Sequence, residues 1–141
     1  MSNRRHVAVR MAKNDDGPEL KRLSEALDFF QWDNFEFDWS DIEPSWLVGE
    51  HGGRIICAIQ VAPAKPIGRI ECLMVDPSLG LMMRYAATKA MVEHGVALNY
   101  TYGAQAVSSL VPSSLPSYME TALERDWFEL DEGSIVMRRL R

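Results

Sequence analysis

The chain has 141 residues, of which 47% are hydrophobic and 25% charged, and these proportions are typical of a globular protein large enough to bury a hydrophobic core. Its fifteen Lys and Arg against twenty Asp and Glu give a net charge of −5, which disfavours a surface for duplex nucleic acid. No apolar run approaches the ~20 residues of a membrane helix, and no apolar segment of a signal peptide follows the basic start. We therefore expect one domain over residues 1–141, located in the cytoplasm, with neither a membrane nor a nucleic acid as partner.

The two cysteines, Cys57 and Cys72, are too few for a disulfide framework and have no CxxC or histidine spacing that would predict zinc. In a reducing compartment such residues are usually small buried hydrophobic side chains. The sequence thus predicts no metal site.

A strand and an amphipathic helix are predicted at the start of the chain. "HVAVRMAK" alternates apolar and polar residues, which is typical of a strand. In "DDGPELKRLSEALDFF" the leucines recur at helical spacing, with Asp16 as the predicted N-cap and Glu19 as its capping-box partner. Residues 28–43 then hold six aromatics, six acids and no basic residue, with poor periodicity, and are interpreted as a loop with a short helix.

Three further strands and a long helix follow. "SWLVGEHGGRIICAIQVA" predicts a hairpin that turns at "HGG", and "IGRIECLMV" predicts a fourth strand. The long helix is predicted from Leu79 to at least His94, and either Gly95 or Gly103 is able to end it. "AQAVSSLVP" predicts a strand, "SSLPSYMETALERD" a shorter helix, and "WFELDEGSIVMRRL" a closing hairpin with Gly133 in its turn. This order requires a mixed sheet with helices packed on its faces.

The predicted order resembles the GNAT superfamily of N-acetyltransferases over nearly the whole chain. "IECLMVDP" is similar to the family's fourth strand, which ends in a Val-x-Pro step, and "GLMMRYAATKAMVEHG" is similar to the helix that follows it. "LERDWFELDEGSIVMRRL" is similar to the closing segment. The resemblance implies an α+β fold: a mixed, mostly antiparallel central sheet of about seven strands with helices on both faces. It also implies acetyl-CoA as co-substrate.

The resemblance implies a site for acetyl-CoA along the fourth strand and at the start of the next helix. The pantetheine pairs with the strand, and a backbone amide near a bulge there polarises the thioester carbonyl. The pyrophosphate lies on backbone amides at the helix start, with Ser78 as a candidate cap. The residues implied for the co-substrate are Leu73, Met74, Val75, Leu79, Gly80, Leu81, Arg84 and Ser108.

Two departures from the family pattern affect these assignments. In "VDPSLGLMMRYAA", residues 75–87, the loop is roughly four residues shorter than the family's and lacks its Gln/Arg and its first Gly. Leu123 stands where the family has a tyrosine that protonates the leaving thiolate, so Tyr118 is the candidate acid, against a structural or surface role. Glu71 is the candidate base, and the alternative for it is an ion pair with Arg69 or across the strands.

The aromatic and acidic segment is the candidate acceptor pocket, because aromatic faces and carboxylates attract an ammonium group. The candidate residues are Trp32, Asp33, Phe35, Phe37 and Asp38. The same alternation fits aromatics that complete the core, or a patch that binds a partner.

The function implied by the resemblance is direct transfer of an acetyl group from acetyl-CoA to a small-molecule or peptide amine. The alternative is a GNAT-like domain without catalysis that acts as a binding or assembly module, or as a sensor of a CoA ligand. A homodimer is also left open.

Overall fold

The computed structural model describes residues 6–27, 38–110, 126–131 and 135–141. Several predicted features lie outside these residues. They are the short helix after Leu27, the helix predicted before Trp127, the turn at Gly133, and the candidate residues Trp32, Asp33, Phe35, Phe37 and Tyr118.

Within the described residues, seven strands form one sheet. The strands are β1 Ala8–Met11, β2 Trp46–His51, β3 Arg54–Ala62, β4 Ile67–Val75, β5 Ala106–Leu110, β6 Trp127–Asp131 and β7 Ile135–Arg139. Their order in the sheet is β1-β2-β3-β4-β5-β7-β6. β4 and β5 pair in parallel, whereas β1–β2, β2–β3, β5–β7 and β6–β7 are antiparallel. The prediction of a mixed sheet of about seven strands is therefore confirmed.

Helix α1 runs over Gly17–Leu27 and follows a 3-10 turn at Asn14–Asp16. The capping box predicted for this helix is wrong. The Asp16 carboxylate accepts from the backbone N–H of Lys13 at 2.8 Å, and Glu19 accepts from the N–H of Ile55 at 3.3 Å. Both acids thus bind backbone outside the helix, Asp16 within the preceding turn and Glu19 on β3.

Helix α2 runs over Leu81–Tyr102, so Gly103 is the glycine that ends it. Gly103 has a φ of 108°, and its N–H donates to the carbonyls of Asn99 and Tyr100 at the helix end. Gly95 lies inside the helix, at a point where α2 passes so close to β4 that a side chain has no room. A Cβ on Gly95 would lie 2.8 Å from a methyl carbon of Ile70.

The chain divides into two units, the first comprising Met1–Gln60 and Cys72–His94 and the second Val61–Glu71 and Gly95–Arg141. The core of the first unit packs apolar side chains of α1, β2 and β3 together with Met74. In the second unit the buried residues include Val61, Ile70, Val107 and Val136. No helix in the described part of the chain is both long and apolar enough to cross a membrane.

Candidate active site

The backbone of strand β4 is irregular just before the candidate thioester contacts Leu73 and Met74. Cys72 has a φ of 56° in the middle of the strand, a conformation that residues other than glycine seldom adopt. Exposed and buried side chains alternate up to Ile70, but Met74 and Val75 are buried in succession. This irregularity lies where the resemblance implies a bulge, and such a feature re-aims the backbone groups that follow it.

Within the described residues, the parallel register of β4 with β5 covers three pairs, from Ile67↔Ala106 to Arg69↔Ser108. Ser108, the candidate pantetheine contact on β5, is half-buried and belongs to the second unit. The pairing recorded for the two strands ends at this serine.

The loop after β4 is organised by Asp76 and not by glycines. Its backbone N–H donates to the Ile56 carbonyl at 2.9 Å, which fixes the loop to β3. Its carboxylate accepts from both the N–H and the hydroxyl of Ser78, at 2.9 and 2.7 Å. Although burial opposes ionisation of Asp76, the bonds from Ser78 and the charges of Arg54 and Arg22 lower its pKa. Ser78 therefore binds Asp76, and its predicted role as the cap of the next helix is wrong.

The start of α2 differs from the prediction by two residues. The N–H of Arg84 donates to the Gly80 carbonyl at 2.9 Å, so Gly80 precedes the first helical residue, Leu81. The N–H of Leu79 donates to the Asp76 carbonyl at 3.3 Å. The amide of Leu79 thus has an acceptor within the turn, and its contact with a phosphate stays a prediction.

Amides suited to an anion begin at Gly80 and continue into the helix. The first four N–H groups at the start of an α-helix, here those of residues 80–83, have no acceptor within the helix. Gly80 is open to solvent, because nothing lies within 4 Å of a Cβ placed on it. The Arg84 side chain is exposed one turn further on. Gly80, Leu81 and Arg84 therefore remain candidates for a phosphate contact, joined by the amides of Met82 and Met83.

Large apolar side chains surround this helix start, a feature absent from the sequence prediction. Leu81, Met82 and Tyr85 are 74%, 54% and 49% exposed. The signal was present in the sequence, since apolar residues occupy more than one face of the first helical turns.

The structure shows the ion pair that was the alternative for Glu71. Its carboxylate Oε1 lies 3.6 Å from Nε of Arg69, with Glu71 half-buried and the arginine exposed. Both residues belong to the second unit.

Asp38, the one candidate acceptor residue within the described ranges, is exposed, and bonds from the Ser40 hydroxyl and N–H lower the pKa of its carboxyl.

Seven candidate residues thus lie on one continuous segment of the first unit, from the end of β4 to the start of α2: Leu73, Met74, Val75, Leu79, Gly80, Leu81 and Arg84. Among the residues that the structure describes, no three His, Cys, Asp or Glu side chains form a group able to hold a metal ion. Cys57 and Cys72 are thiols and form no disulfide.

Neither a protein-family model nor a curated protein sequence matches this chain. Solved structures do match it, at a low level of sequence identity. The N-acetylglutamate synthase of Neisseria gonorrhoeae, solved with coenzyme A and N-acetyl-glutamate, has a TM-score of 0.75 and 17% identity. The match covers 96% of this chain and 35% of the synthase, so the chain spans about a third of that protein.

Two matches of similar length to this chain are acetyltransferases. The PaiA N-acetyltransferase of Thermoplasma acidophilum, solved with coenzyme A, has a TM-score of 0.72 and 9% identity, covering 96% of this chain and 99% of its own. The diaminobutyrate acetyltransferase of Paenibacillus lautus, solved with its substrate L-2,4-diaminobutyric acid and coenzyme A, has a TM-score of 0.69 and 14% identity, covering 94% and 93%. The likeness at these identities is one of fold, and the fold of this chain is that of the GNAT N-acetyltransferases.

Proposed function

We propose that the protein is an N-acyltransferase that moves an acetyl group from acetyl-CoA to a small-molecule or peptide amine by direct transfer. The observation that carries the proposal is the left-handed Cys72 inside β4, followed along the chain by an open helix start at Gly80. The GNAT fold and the coenzyme A in the solved structures of the same fold support it.

The first unit fits the diphosphate of coenzyme A through backbone groups. The N–H groups of Gly80, Leu81 and Met82 and the positive end of the helix dipole favour an anion. The exposed Arg84 adds a charge within reach of the first turn. Because the loop is short and Asp76 already accepts from Ser78, we expect fewer amide contacts to the diphosphate than a glycine-rich loop would supply.

In this proposal the backbone after Cys72 stabilises charge during transfer. Acetyl-CoA supplies an activated acetyl thioester. The N–H groups of Leu73 and Met74, re-aimed by the irregularity at Cys72, donate to the oxygen on which negative charge develops. Val75 continues the strand edge along which the pantetheine extends, and Ser108 is a proposed partner for its amides.

Glu71 is the proposed base, and it accepts a proton from the amine directly or through a water. Its contact with Arg69 is long at 3.6 Å and lies at an exposed guanidinium, so it is readily exchanged for a bond to an ammonium group. Tyr118 is the proposed acid for the leaving thiolate. The proposed acceptor pocket consists of Trp32, Asp33, Phe35, Phe37 and Asp38.

Binding is tested by thermal unfolding with acetyl-CoA. Because a ligand of the native state stabilises it by mass action, a concentration of 100 times Kd adds about 2.7 kcal/mol and raises Tm. Arg84→Gln should reduce the rise, whereas Lys89→Gln, which removes one exposed positive charge further along α2, should leave it unchanged. An unchanged Tm at millimolar acetyl-CoA contradicts the proposal and also excludes a sensor of this ligand.

Turnover is tested in the same protein by release of free coenzyme A thiol with a panel of amines. Glu71→Gln should lower kcat about 100-fold or more and keep the acetyl-CoA shift, and Glu93→Gln, an exposed acid on α2, is the matched control. Equal rates for Glu71→Gln and the wild type remove Glu71 from the base role.

The second candidate function is binding without catalysis, as a sensor of a CoA ligand or as an assembly module. It is favoured by the shortened loop after Pro77 and by Leu123 in place of the family's tyrosine. A Tm shift with no thiol release for any amine is the result expected of a sensor. The absence of both the Tm shift and thiol release is the result expected of an assembly module.

A further inference from the structure

The second unit has an open depression whose described lining includes none of the residues assigned so far to the proposed reaction. It lies where β4 and β5 begin and β7 ends, and its volume is about 290 Å³, near the lower limit for small-molecule sites. It is lined by Pro66, Ile67, Gln105, Ala106, Arg139 and Arg141.

The strand register accounts for the floor of this depression. Ile67 is the partner of Ala106 on β5, and Ala106 is in turn the partner of Arg139 on β7. Side chains at paired positions of neighbouring strands project from the same face of a sheet. A row of one isoleucine, one alanine and one arginine therefore crosses the three strands, and both Ile67 and Arg139 are exposed.

Arg141 forms a fixed wall of the depression. Its Nε donates to the Ala104 carbonyl at 3.0 Å and its Nη2 to the carbonyl of Tyr100. Its guanidinium carbon lies 4.1 Å from the centre of the Tyr100 ring, a cation–π contact that orients the group further. Two of its five N–H groups are engaged in these bonds, and three remain as donors.

The side chains of the described lining residues include positive charge and no negative charge. Two of the six described lining residues are arginines and none is an acid. The backbone N–H groups of Gln105 and Ala106 both donate to the Pro66 carbonyl, and the side chains of Gln105, Arg139 and Arg141 are the donors considered for a ligand. Positive charge in a concave surface concentrates anions, and guanidinium groups match carboxylate and phosphate oxygens in pairs.

We propose that this depression is a binding site for a small organic anion, a carboxylate or phosphate that carries an apolar part. Arg139 binds the anionic group together with Arg141, and Pro66, Ile67 and Ala106 contact the apolar part. All six lining residues belong to the second unit, and the site does not depend on the proposed transferase function.

The test is an NMR titration of the ¹⁵N-labelled protein in a buffer of low anion content. The probes are butyrate, inorganic phosphate, and butyramide as the neutral isostere of butyrate. Butyrate or phosphate should give saturable shifts that include the amides of Gln105, Ala106 and Arg139. Butyramide should bind at least tenfold more weakly than butyrate, because it lacks the charge that the guanidinium groups recognise.

Arg139→Gln should weaken anion binding about tenfold or more, and Arg139→Lys should retain part of it because the charge remains. Lys89→Gln, which removes one exposed positive charge from the first unit, should bind as the wild type does. Unperturbed resonances elsewhere in Arg139→Gln show that it folds. The proposal is overturned if neither anion binds saturably, if butyramide matches butyrate, or if Arg139→Gln binds as the wild type does.

Discussion

At the scale of single residues, the contact between Asn99 and Gly68 shows how closely α2 approaches β4 in the second unit. Asn99 is 0% exposed, and its Nδ2 donates to the Gly95 carbonyl at 2.9 Å. Its Oδ1 has no conventional hydrogen-bond partner within the described residues. A Cβ placed on Gly68 would lie 1.6 Å from that oxygen. The oxygen thus faces the Cα hydrogen of Gly68, a geometry suited to a weak Cα–H···O contact.

Gly68→Ala should therefore destabilise the protein by about 1–3 kcal/mol, since the new methyl group overlaps the buried amide and the helix has to move. Asn99→Ala removes the obstacle. In the double variant the cost of the Gly68 change should fall by about 1 kcal/mol or more relative to its cost in the wild type. The measurement is urea unfolding of the four proteins. Purely additive effects would show that Asn99 does not restrict this position.

At the scale of elements, an ion-pair cluster connects the first strand to the turn before α1. Arg10 Nη1 lies 2.7 Å from Asp16 Oδ2, and Arg10 Nε lies 2.6 Å from Glu50 Oε1. The hydrogen bond from Arg10 is the main cause that lowers the pKa of Asp16, and the same bond raises the pKa of Arg10. Asp16 also accepts from the Lys13 N–H, so one carboxylate orders both the turn and the strand end.

This cluster predicts a loss of stability in acid. The pKa of Asp16 is lower in the folded protein than its ordinary value of 3.8. Its contribution is therefore complete above pH ~4 and is lost as pH falls from there through the folded-state pKa. Asp16→Asn should be less stable than the wild type at pH 6, and the difference should shrink below pH 4. Asp15→Asn is the control for loss of an exposed neighbouring acid. The check is urea unfolding between pH 3 and pH 7, and a difference that stays constant would contradict this role.

The elements themselves were largely predictable, because their signals are local. Strand alternation located β1 and β4, and periodicity located most of α2. The errors fall where a side chain binds a partner other than the one that its motif predicts. Asp16 and Glu19 match a capping box in sequence, yet Arg10 and Ile55 bind them. Ser78 would suit a helix cap, but its hydroxyl donates a hydrogen bond to the Asp76 carboxylate.

At the scale of the whole molecule, the mixed sheet followed from the sequence because a run of hairpins and then β-α-β units permits few sheet topologies. Sites assembled from distant strands gave no comparable signal. Ile67, Ala106 and Arg139 share one row only through the register of β4, β5 and β7, and no local pattern marks them. The left-handed Cys72 is likewise invisible in the sequence, which offers no glycine there.

The labelling rates of the two cysteine thiols depend on how the folded protein opens. Cys57 lies on β3, fully buried, and burial raises the pKa of its thiol to about 12, an effect that the Gly49 N–H bond opposes in part. Reaction with a disulfide reagent requires the thiolate and direct access. Both are denied to Cys57 until the β2–β3 pair separates, and a core strand of this kind exchanges through global unfolding. Cys72 is half-buried, at the irregularity of β4.

We therefore expect Cys72 to be modified first in the folded protein, and Cys57 to react only through the unfolded state. In Cys72→Ala, which leaves Cys57 as the single thiol of the chain, labelling should be slowed about 10³- to 10⁴-fold relative to the unfolded chain if the free energy of unfolding is about 5 kcal/mol. The rate should rise with urea with the slope of global unfolding, because the same opening limits both. Mass spectrometry of timed samples gives the rate, and fast labelling with a shallow urea dependence would show that β3 opens locally. In the wild type, acetyl-CoA should slow modification of Cys72 if the pantetheine extends along β4.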